Sequence, residues 1–545
     1  MHEDTTPVLV VGGGLVGLST SLFLSWHGVR HILVERHAGT SVHPRAWGLY
    51  PRTLELLDAV GVSDDLLAEA AGFAGHTLNG KVESLTGREI SVTRIPEPAD
   101  VGDISPVARV LSLSQDRIEP ILLRRARELG AEVRFGTELR EPEQDADGVT
   151  ATLHDRETGA ERRVRARYLV AADGAHSPVR ERLGIARRGR GTLRHQISIV
   201  FRADLRGPLG ERRFAVCRIA NPLVDGVLGH DDTLRRGTLI VTHDPRTDPF
   251  ASYTPERCTE LVRAAVGVPD LPVEIVSTLP WEMAALVAER YAEGRIFLVG
   301  DAAHVIPPVG GYGANTGIQD AHNLAWKLAA VLHGQAGQAL LDTYDTERLP
   351  VGRATMRQAA LRLAARAGNG GAPGGAAVAD TLSVMFGYRY RSAAVIADEG
   401  EQTDAAADFA EPRTLSGAPG TRAPHLWLGT EDGRTVSTLS LVGRRPLLMA
   451  GAKAAEWYDA AHAVARRTGV ALDVLRLGED VRERERSWHD AMGVTETDAV
   501  LLRPDGFVAW RTTAALPSPE HALEMVPPEH TLETVLTRVL ARDGS

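Results

Sequence analysis

The sequence predicts a mixed α/β and α+β fold, in which a Rossmann-like domain is interrupted by an antiparallel β-sheet and followed by a smaller C-terminal domain. Three observations lead to this prediction: a glycine-rich strand–turn–helix–strand pattern over residues 7–35, a β-rich region over 191–280 that precedes another buried strand, and short strands and helices from about residue 425 onward. The 545 residues exceed what one core accommodates, because domains average about 100–200 residues.

The composition is that of a globular protein, with 43% hydrophobic and 24% charged residues. The net charge of −10 argues against a nucleic-acid partner or an acidic membrane surface. The two cysteines, Cys217 and Cys258, form no CxxC pair, and the histidines form no HExxH motif. We therefore expect a reducing compartment, no disulfide framework and no metal site.

One apolar stretch, Val8–Trp26, is long enough to raise the question of a membrane segment or a signal peptide. It contains four glycines, and no basic segment precedes it. Both features disfavour insertion into a bilayer. We expect a cytoplasmic protein without a membrane partner.

The N-terminal pattern is typical of a dinucleotide-binding unit. Pro7–Val11 predicts a buried strand, and the glycines of a GxGxxG motif, Gly12, Gly14 and Gly17, follow it directly before apolar residues at helical spacing. Gly12 allows the tight turn, Gly14 allows backbone approach to a pyrophosphate, and Gly17 allows close helix–strand packing. The helix start offers free N–H groups and a positive dipole end to the phosphates.

An acid at the end of the second strand narrows the ligand class. Glu35 lies 18 residues after Gly17, where a carboxylate can bind a ribose hydroxyl. This favours FAD or NAD and disfavours a 2′-phosphate at this position.

Two later motifs favour FAD. Tyr168–Arg180 predicts a strand followed by Asp173-Gly174. Arg295–Gly300 predicts a buried strand that ends at Asp301, before a glycine-rich loop and a helix from about Asn315 to His333. Asp301 can accept a hydrogen bond from a ribityl or ribose hydroxyl, and the Ala314 and Asn315 amides can stabilise charge on a flat ring such as reduced flavin. A simple NAD dehydrogenase needs no such element.

With these three motifs, the chain resembles the single-component FAD-dependent aromatic monooxygenases of the p-hydroxybenzoate hydroxylase-like superfamily. It is most similar to the aromatic-polyketide hydroxylases of the tetracenomycin and anthracycline type. The segments His43–Val62, Leu113–Leu139 and Phe386–Ile396 also match that group. The resemblance covers most of the chain.

The resemblance implies a tight, non-covalent FAD site. In it, Arg45 reaches the pyrophosphate, Gln115 contacts the flavin, Leu139 meets the adenine through its backbone, and Pro308 lies near the reactive flavin carbon. The Asp173-Gly174 pair serves both FAD and NADPH. The full set of expected cofactor-binding residues is Gly12, Gly14, Gly17, Glu35, Arg36, Arg45, Gln115, Leu139, Asp173, Gly174, Asp301, Pro308, Gly313, Ala314 and Asn315.

The resemblance also organises the domains. Residues 1–185 and 281–400 form the FAD-binding domain, and the second part includes a long helix near Tyr344–Ala367; residues 186–280, joined by 75–110, form the β-sheet substrate domain; 401–424 form a linker; and 425–545 form a thioredoxin-like domain without a CxxC pair. Because no cysteine follows Cys258, thiol redox chemistry is excluded in that last domain. We expect packing or a dimer contact there, and either a monomer or a homodimer. The segment Gly368–Ala377 predicts a flexible loop.

The implied reaction is hydroxylation of a small aromatic substrate of the polycyclic polyketide type. NADPH, a transient co-substrate favoured over NADH, reduces FAD, and O₂ then forms a C4a-hydroperoxyflavin that transfers its distal oxygen. Arg190, in an arginine-rich segment, is a candidate for the NADPH 2′-phosphate. No catalytic residue is assigned: His230 and Tyr312 are possible general bases, although a lone histidine is more often structural.

Two alternatives remain open at this point. A Baeyer–Villiger oxygenation of a related polyketide ketone would use the same flavin motifs. A non-catalytic flavin-binding sensor or assembly protein would also keep them. Substrate-stimulated NADPH oxidation separates catalysis from the second alternative, and product connectivity separates the two oxygenations.

Overall fold

The computed structural model describes residues 4–95, 100–107, 109–366, 377–398, 408–512 and 527–542. The predicted loop Gly368–Ala377, apart from Ala377, and residues 401–407 of the predicted linker lie outside these ranges. Among the described residues, no helix combines the length and the apolar composition that crossing a bilayer requires.

The strands of the described residues are β1 (Asp4–Val11), β2 (His31–Val34), β3 (Trp47–Leu49), β4 (Leu78–Val82), β5 (Glu89–Arg94), β6 (Leu111–Ser114), β7 (Glu132–Arg134), β8 (Thr137–Gln144), β9 (Val149–Asp155), β10 (Glu161–Ala171), β11 (Arg187–Arg202), β12 (Phe214–Ala220), β13 (Asp225–His230), β14 (Arg236–His243), β15 (Glu274–Ala288), β16 (Ala292–Glu293), β17 (Ile296–Leu298), β18 (His304–Val305), β19 (Trp427–Thr430), β20 (Thr435–Ser437), β21 (Leu447–Ala450), β22 (Asp473–Arg476), β23 (Val481–Glu483), β24 (Ala499–Leu502) and β25 (Val508–Arg511).

The α-helices of the same residues are α1 (Leu15–Trp26), α2 (Pro51–Ala59), α3 (Ser63–Ala70), α4 (Gln115–Glu128), α5 (Pro178–Arg182), α6 (Arg206–Leu209), α7 (Pro255–Val266), α8 (Tyr312–Leu332), α9 (Asp342–Arg366), α10 (Thr381–Phe386), α11 (Ala455–Thr468), α12 (Trp488–Met492) and α13 (Pro528–Val539). Short 3₁₀ turns cover Ala71–Phe73, Phe250–Ser252, Gly300–Ala302, Gln338–Leu341 and Pro412–Thr414.

Parallel strands form the centre of the first, eight-stranded sheet. Its main order is β7-β2-β1-β10-β17-β16, in which the five strands from β7 to β17 run parallel, and the β8–β9 hairpin joins it through antiparallel pairing of β9 with β10. Val8, Leu9 and Val10 of β1 are completely buried, as is typical of a central strand in a parallel sheet. The carboxyl ends of β1, β2, β10 and β17 meet at one edge, and ligands of open α/β sheets bind at that edge.

The second sheet is formed mainly by antiparallel strands in the order β18-β15-β11-β14-β13-β12-β4-β5. The β4–β5 hairpin joins it through parallel pairing of β4 with β12, so residues far apart in the chain share this sheet. Its core includes Ile197, Ile199 and Phe201 of β11, with α7 contributing Cys258 and Val262. β18 connects the sheet to the loop that follows β17.

The C-terminal part has a four-stranded sheet in the order β22-β21-β24-β25, in which β21 is parallel to β22 and antiparallel to β24. The helix α11 connects β21 to β22, and α13 follows β25. This order is that of a thioredoxin-like core. Both cysteines of the chain lie outside it and are buried in the second sheet and α7.

Two element boundaries differ from the sequence-based expectation. The strand β15 runs to Ala288, so the expected substrate-domain boundary at residue 280 falls inside a strand. The helix α8 begins at Tyr312, three residues before the expected start at Asn315. Pro280 lies inside β15 and Gly313 lies inside α8. Both residue types ordinarily indicate the end of a strand or a loop, so they suggest boundaries that the structure does not have.

Candidate cofactor site

The first turn of α1 is the point at which the loops of the site converge. Gly12 has a φ of 104°, and a Cβ added there would lie 2.3 Å from the Ala172 carbonyl oxygen. A Cβ on Gly17 would lie 1.8 Å from the Gly12 carbonyl oxygen. Neither position accepts a side chain, so β1, β10 and α1 approach each other through backbone contacts. The Asp173-Gly174 loop is therefore adjacent to the GxGxxG turn.

Gly14 differs from its two neighbours in the motif. A Cβ there would meet only Glu119 Oε1, at 3.9 Å, so the space above it is open. Gly14 is the N-cap of α1, and no side chain caps this helix or places an acid in its first turn. The free amides of this turn therefore face open space, an arrangement that suits a phosphate anion.

A free cation and a buried carboxylate border the same space. Within the described residues, the exposed Arg45 guanidinium has no hydrogen-bond partner, while its charge acts on both Glu119 and Asp301. Glu119 accepts hydrogen bonds from Gln115 Nε2 at 2.6 Å and from the Ser41 amide at 2.7 Å. Burial raises the pKa of Glu119. Glu119 thus positions Gln115 and the loop that carries Arg45, a role that the sequence analysis did not anticipate.

Glu35 lies at the end of β2, where it holds the glycine-rich turn. Its carboxylate accepts hydrogen bonds from the Gly13 amide at 2.6 Å and the His37 amide at 2.8 Å. Each oxygen keeps a further lone pair for a ligand hydroxyl. The neighbouring Arg36 is exposed and donates through Nε to His37 at 3.4 Å. Leu139 is half-buried in β8, whose first residue, Thr137, donates its amide to the Glu35 carbonyl oxygen.

Asp173 carries an incompletely bonded carboxylate. Its Oδ2 accepts a hydrogen bond from the Val179 amide at 3.1 Å, whereas its buried Oδ1 has no partner among the described residues. Burial raises the pKa of Asp173. Gly174 follows with a φ of 83° and open space at its Cβ position. A buried acceptor without a donor fits a ligand hydroxyl at this loop.

Asp301 follows β17 at the same edge of the first sheet. Its side chain is exposed, yet many protein atoms lie around it. The resulting loss of hydration raises the pKa of Asp301, although the charges of His304 and Arg45 act in the opposite direction. The preceding Gly300 and Gly317 of α8 pack closely: a Cβ on Gly317 would lie 3.0 Å from the Gly300 Cα. This contact places α8 beside the Asp301 turn.

The glycine-rich loop before α8 leads to a second uncapped helix start. Pro308 is exposed, and its carbonyl oxygen accepts the Gly311 amide at 3.1 Å. Gly311, the N-cap of α8, has a φ of 68°, and no side chain caps the helix. The free amides of the first turn therefore belong to Tyr312, Gly313 and Ala314.

Asn315 is buried and acts through its side chain. Its Nδ2 donates to the carbonyl oxygens of Gly48 and Gly311, at 3.2 Å and 2.9 Å, and its Oδ1 accepts the Tyr50 amide at 2.9 Å. Tyr50 in turn donates its hydroxyl to the Gly310 carbonyl oxygen. The helix start is thus fixed to residues 48–50.

A buried ionic triad lies behind the site. Asp320 of α8 accepts hydrogen bonds from His304 Nε2 and Arg348 Nε, both at 2.7 Å, and from the Gly300 amide at 3.3 Å. All three side chains are completely buried. This triad was not predicted from the sequence. One signal was present: Asp320 lies between Gly317 and Leu324 on the buried side of α8, where a charge requires a partner.

The two candidate general bases have different surroundings. His230 accepts the Phe214 amide on Nε2 at 3.1 Å, and its Nδ1 contacts the Asp231 carbonyl oxygen at 3.0 Å. Burial lowers the pKa of His230 to about 4. Both nitrogens are engaged by the protein, so His230 has a structural role. Tyr312 is buried, and its hydroxyl has no partner among the described residues.

The residues of this edge fit a long cofactor with a pyrophosphate in its middle. The fit rests on the open space at Gly14, the two uncapped helix starts, the unpartnered Asp173 oxygen, and Arg45. Residues 5–359 match the family model described as a FAD binding domain, and residues 416–542 match the model described as aromatic-ring hydroxylase, C-terminal. The fold and site define a FAD-binding oxidoreductase. The chain belongs to the aromatic-ring hydroxylase family of flavoproteins, and the family and fold class predicted from sequence are confirmed.

Relatives and solved structures extend over nearly the whole chain. The tetracenomycin A2 monooxygenase-dioxygenase of Streptomyces glaucescens is 44% identical over 568 residues, which covers 99% of this chain and 98% of that protein. A 4-methyl-5-nitrocatechol 5-monooxygenase of a Burkholderia species is 43% identical over 531 residues, covering 95% and 96%. The ternary complex of aklavinone-11 hydroxylase with FAD and aklavinone superposes with a TM-score of 0.87 at 39% identity, covering 99% of this chain and all of that one.

Proposed function

We propose that this flavoprotein uses NAD(P)H and O₂ to hydroxylate a polycyclic aromatic substrate of the polyketide type. One observation carries the proposal: the loops after β1, β10 and β17 meet beside two helix starts that no side chain caps. The start of α1 suits a pyrophosphate, and the start of α8 suits a flat ring. The similarity to the tetracenomycin and aklavinone enzymes supports the substrate class.

The bound FAD supplies hydride acceptance and oxygen activation, and the protein supplies binding, orientation and electrostatics. The amides of Tyr312, Gly313 and Ala314 point from a positive helix end and stabilise negative charge on a ring placed there. Val305 and Pro307 are buried beside the same loop and exclude water from it. No protein general base is required, since a polyhydroxylated aromatic is itself acidic.

Arg190 supports the choice of NADPH. The pairing of β11 with β15 shifts between Gly189 and Gly191, so Arg190 is the extra residue of a bulge and points outward, exposed and without a partner among the described residues. At the start of the same strand, Arg187 donates to the Ala175 carbonyl oxygen at 2.8 Å. This contact links the start of β11 to the Asp173-Gly174 loop, and the bulge lies three residues further along the strand. From this position, Arg190 can attract a 2′-phosphate.

The function is tested with purified holoenzyme. We expect the enzyme to contain FAD and to oxidise NADPH faster when planar polycyclic phenols are added. We also expect the product to contain one oxygen atom from O₂, which mass spectrometry after reaction under ¹⁸O₂ detects. A product with an ester inserted into the carbon framework would identify a Baeyer–Villiger oxygenation instead. Absence of stimulated oxidation across the panel would favour a non-catalytic flavin-binding role.

Cofactor preference is tested separately. Arg190→Ala should raise the KM for NADPH while leaving the KM for NADH unchanged. Arg202→Ala, at the other end of the same strand and paired with Glu274, is the matched control. Equal NADPH kinetics in wild type and Arg190→Ala would exclude this role.

A further inference from the structure

Trp47 is the one tryptophan among the described residues that is exposed, with 41% of its surface accessible. Tryptophan is the largest apolar side chain, and burying it would remove considerable apolar surface from water. Its exposed part therefore offers an apolar surface that another molecule can cover.

The exposure does not come from a loose backbone. Trp47 pairs with Ser114 in the β3–β6 ladder. The residues on either side are also fixed: the Ala46 carbonyl oxygen accepts the Gln115 amide at 2.9 Å, and the Gly48 carbonyl oxygen accepts Asn315 Nδ2 at 3.2 Å. The ring packs edge-to-face on buried Phe73, with centroids 5.7 Å apart and planes at 76°. The indole is therefore held in one place.

The indole lies between the candidate cofactor site and the second sheet. Gln115 and Asn315, which hold the neighbouring residues, are both expected cofactor-binding residues. The Trp47 carbonyl oxygen would lie 3.9 Å from a Cβ on Gly311, the N-cap of α8. On the other side, a Cβ on Gly229 of β13 would meet only Trp47 Cζ2, at 4.0 Å, so the ring edge lies against the sheet.

We propose that Trp47 is a specificity-determining residue that packs its indole against the flat, fused-ring part of the aromatic substrate. The inference rests on the proposed function and adds the group that selects fused rings over single rings. A planar polycyclic phenol covers the indole surface, whereas a single-ring phenol is too small to reach both the cofactor loop and the indole. Aromatic contacts of this kind contribute beyond apolar burial.

The test measures binding to FAD-loaded enzyme without reduced nicotinamide. The dissociation constants of 1,8-dihydroxyanthraquinone and resorcinol are determined from the change in the flavin absorption spectrum. Trp47→Ala and Trp47→Leu should weaken anthraquinone binding by about tenfold or more, and Trp47→Phe by about threefold or less, because only the last keeps an aromatic face. Resorcinol binding should change less than threefold in every variant. Phe250→Ala, which removes another exposed aromatic ring, is the control.

A second measurement does not depend on the alanine variant folding. In the wild type, anthraquinone should protect one tryptophan from acrylamide quenching, and this protection should be lost in Trp47→Phe. Unchanged anthraquinone affinity in Trp47→Leu, or protection that persists in Trp47→Phe, would overturn the inference and leave the proposed function intact. A wild-type enzyme that binds FAD but not the anthraquinone, and whose NADPH oxidation no polycyclic phenol stimulates, would overturn both.

Discussion

Replacement of Asp320 by asparagine tests whether the buried triad holds the cofactor edge together. Burial alone would raise the pKa of Asp320, but the charges of Arg348 and His304 hold that pKa below its ordinary value. The aspartate is therefore ionised, and the asparagine variant leaves the completely buried Arg348 without its counter-charge. Removal of one partner of a buried ion pair costs about 3–5 kcal/mol.

Arg348 keeps two other hydrogen bonds in the variant, so we expect a loss near the lower end of that range. Its Nη2 donates to the Thr316 carbonyl oxygen at 3.1 Å and its Nη1 to the Tyr390 hydroxyl at 3.0 Å, and neither acceptor carries a charge. The asparagine keeps one oxygen for either Arg348 or His304. We therefore expect a loss of about 3 kcal/mol or more, together with weaker FAD retention, because Asp320 also accepts the Gly300 amide beside Asp301.

The assay is urea denaturation of the holoenzyme, followed by tryptophan fluorescence and by the fluorescence of released FAD. Asp204→Asn is the matched control, because Asp204 forms an exposed pair with Arg206 and its loss should leave the transition unchanged. In a double-mutant cycle with Arg348→Met, the two changes should be non-additive by about 1–3 kcal/mol. An Asp320→Asn transition within about 1 kcal/mol of wild type would refute the reasoning.

Gly17→Ala should fail to fold stably, since its Cβ would collide with the Gly12 carbonyl oxygen, whereas Gly14→Ala should fold and melt normally but lose FAD; equal FAD content in wild type and Gly14→Ala would contradict the assignment of the open space to the pyrophosphate. Asp301→Ala should purify with much less FAD, measured by absorbance, because it removes a cofactor hydrogen bond worth about 1–3 kcal/mol; full occupancy would exclude this role. Burial lowers the pKa of His322 to about 3, so between pH 6.5 and 3 the unfolded chain takes up a proton that the folded chain does not, and stability falls as pH falls. From pH 7 to 5 the free energy of unfolding should fall by about 2 kcal/mol because of this histidine, and His322→Phe should abolish that part of the fall, measured by urea denaturation at both pH values. If wild type and His322→Phe lose the same stability between pH 7 and 5, His322 is not the responsible group.

The parts of the site that the sequence predicted are those governed by local backbone rules. Gly12 and Gly17 lie where no side chain fits. Glu35 directly follows the buried strand β2, and Asp301 lies three residues after the end of β17, so a single stretch of sequence contains each signal. Parallel strands bring these ends to one edge, and their proximity therefore followed from the strand prediction alone.

Other features depend on partners that are distant in the chain. Pro280 suggested the end of a strand, but β15 tolerates it because β18, its neighbour on one side, pairs only with Leu286 and Val287. The N–H group that proline lacks is not needed at an open edge. Likewise, nothing near Asp320 indicates Arg348, which lies 28 residues away on α9. Such pairings are decided by tertiary packing, which a local pattern does not contain.

The C-terminal domain, which has no cysteine for redox chemistry, contacts α8 and α9 through buried charged side chains. Arg503, in the β24–β25 hairpin, forms a bidentate ion pair with Glu347 of α9 at 2.6 and 2.7 Å. Glu347 also accepts Lys327 of α8 at 2.7 Å, and Asp505 accepts the Trp326 indole at 3.2 Å.

All of these side chains are buried, so the hairpin fixes α8 at one end. The triad fixes the middle of α8 through Asp320, and Asn315 fixes its start. A helix held at three levels keeps its free amides in one position. The energetic advantage of this arrangement is electrostatic, since donors that are already oriented need no reorganisation when charge develops on a bound ring. The thioredoxin-like domain therefore supports the cofactor site from a distance, through the position of α8.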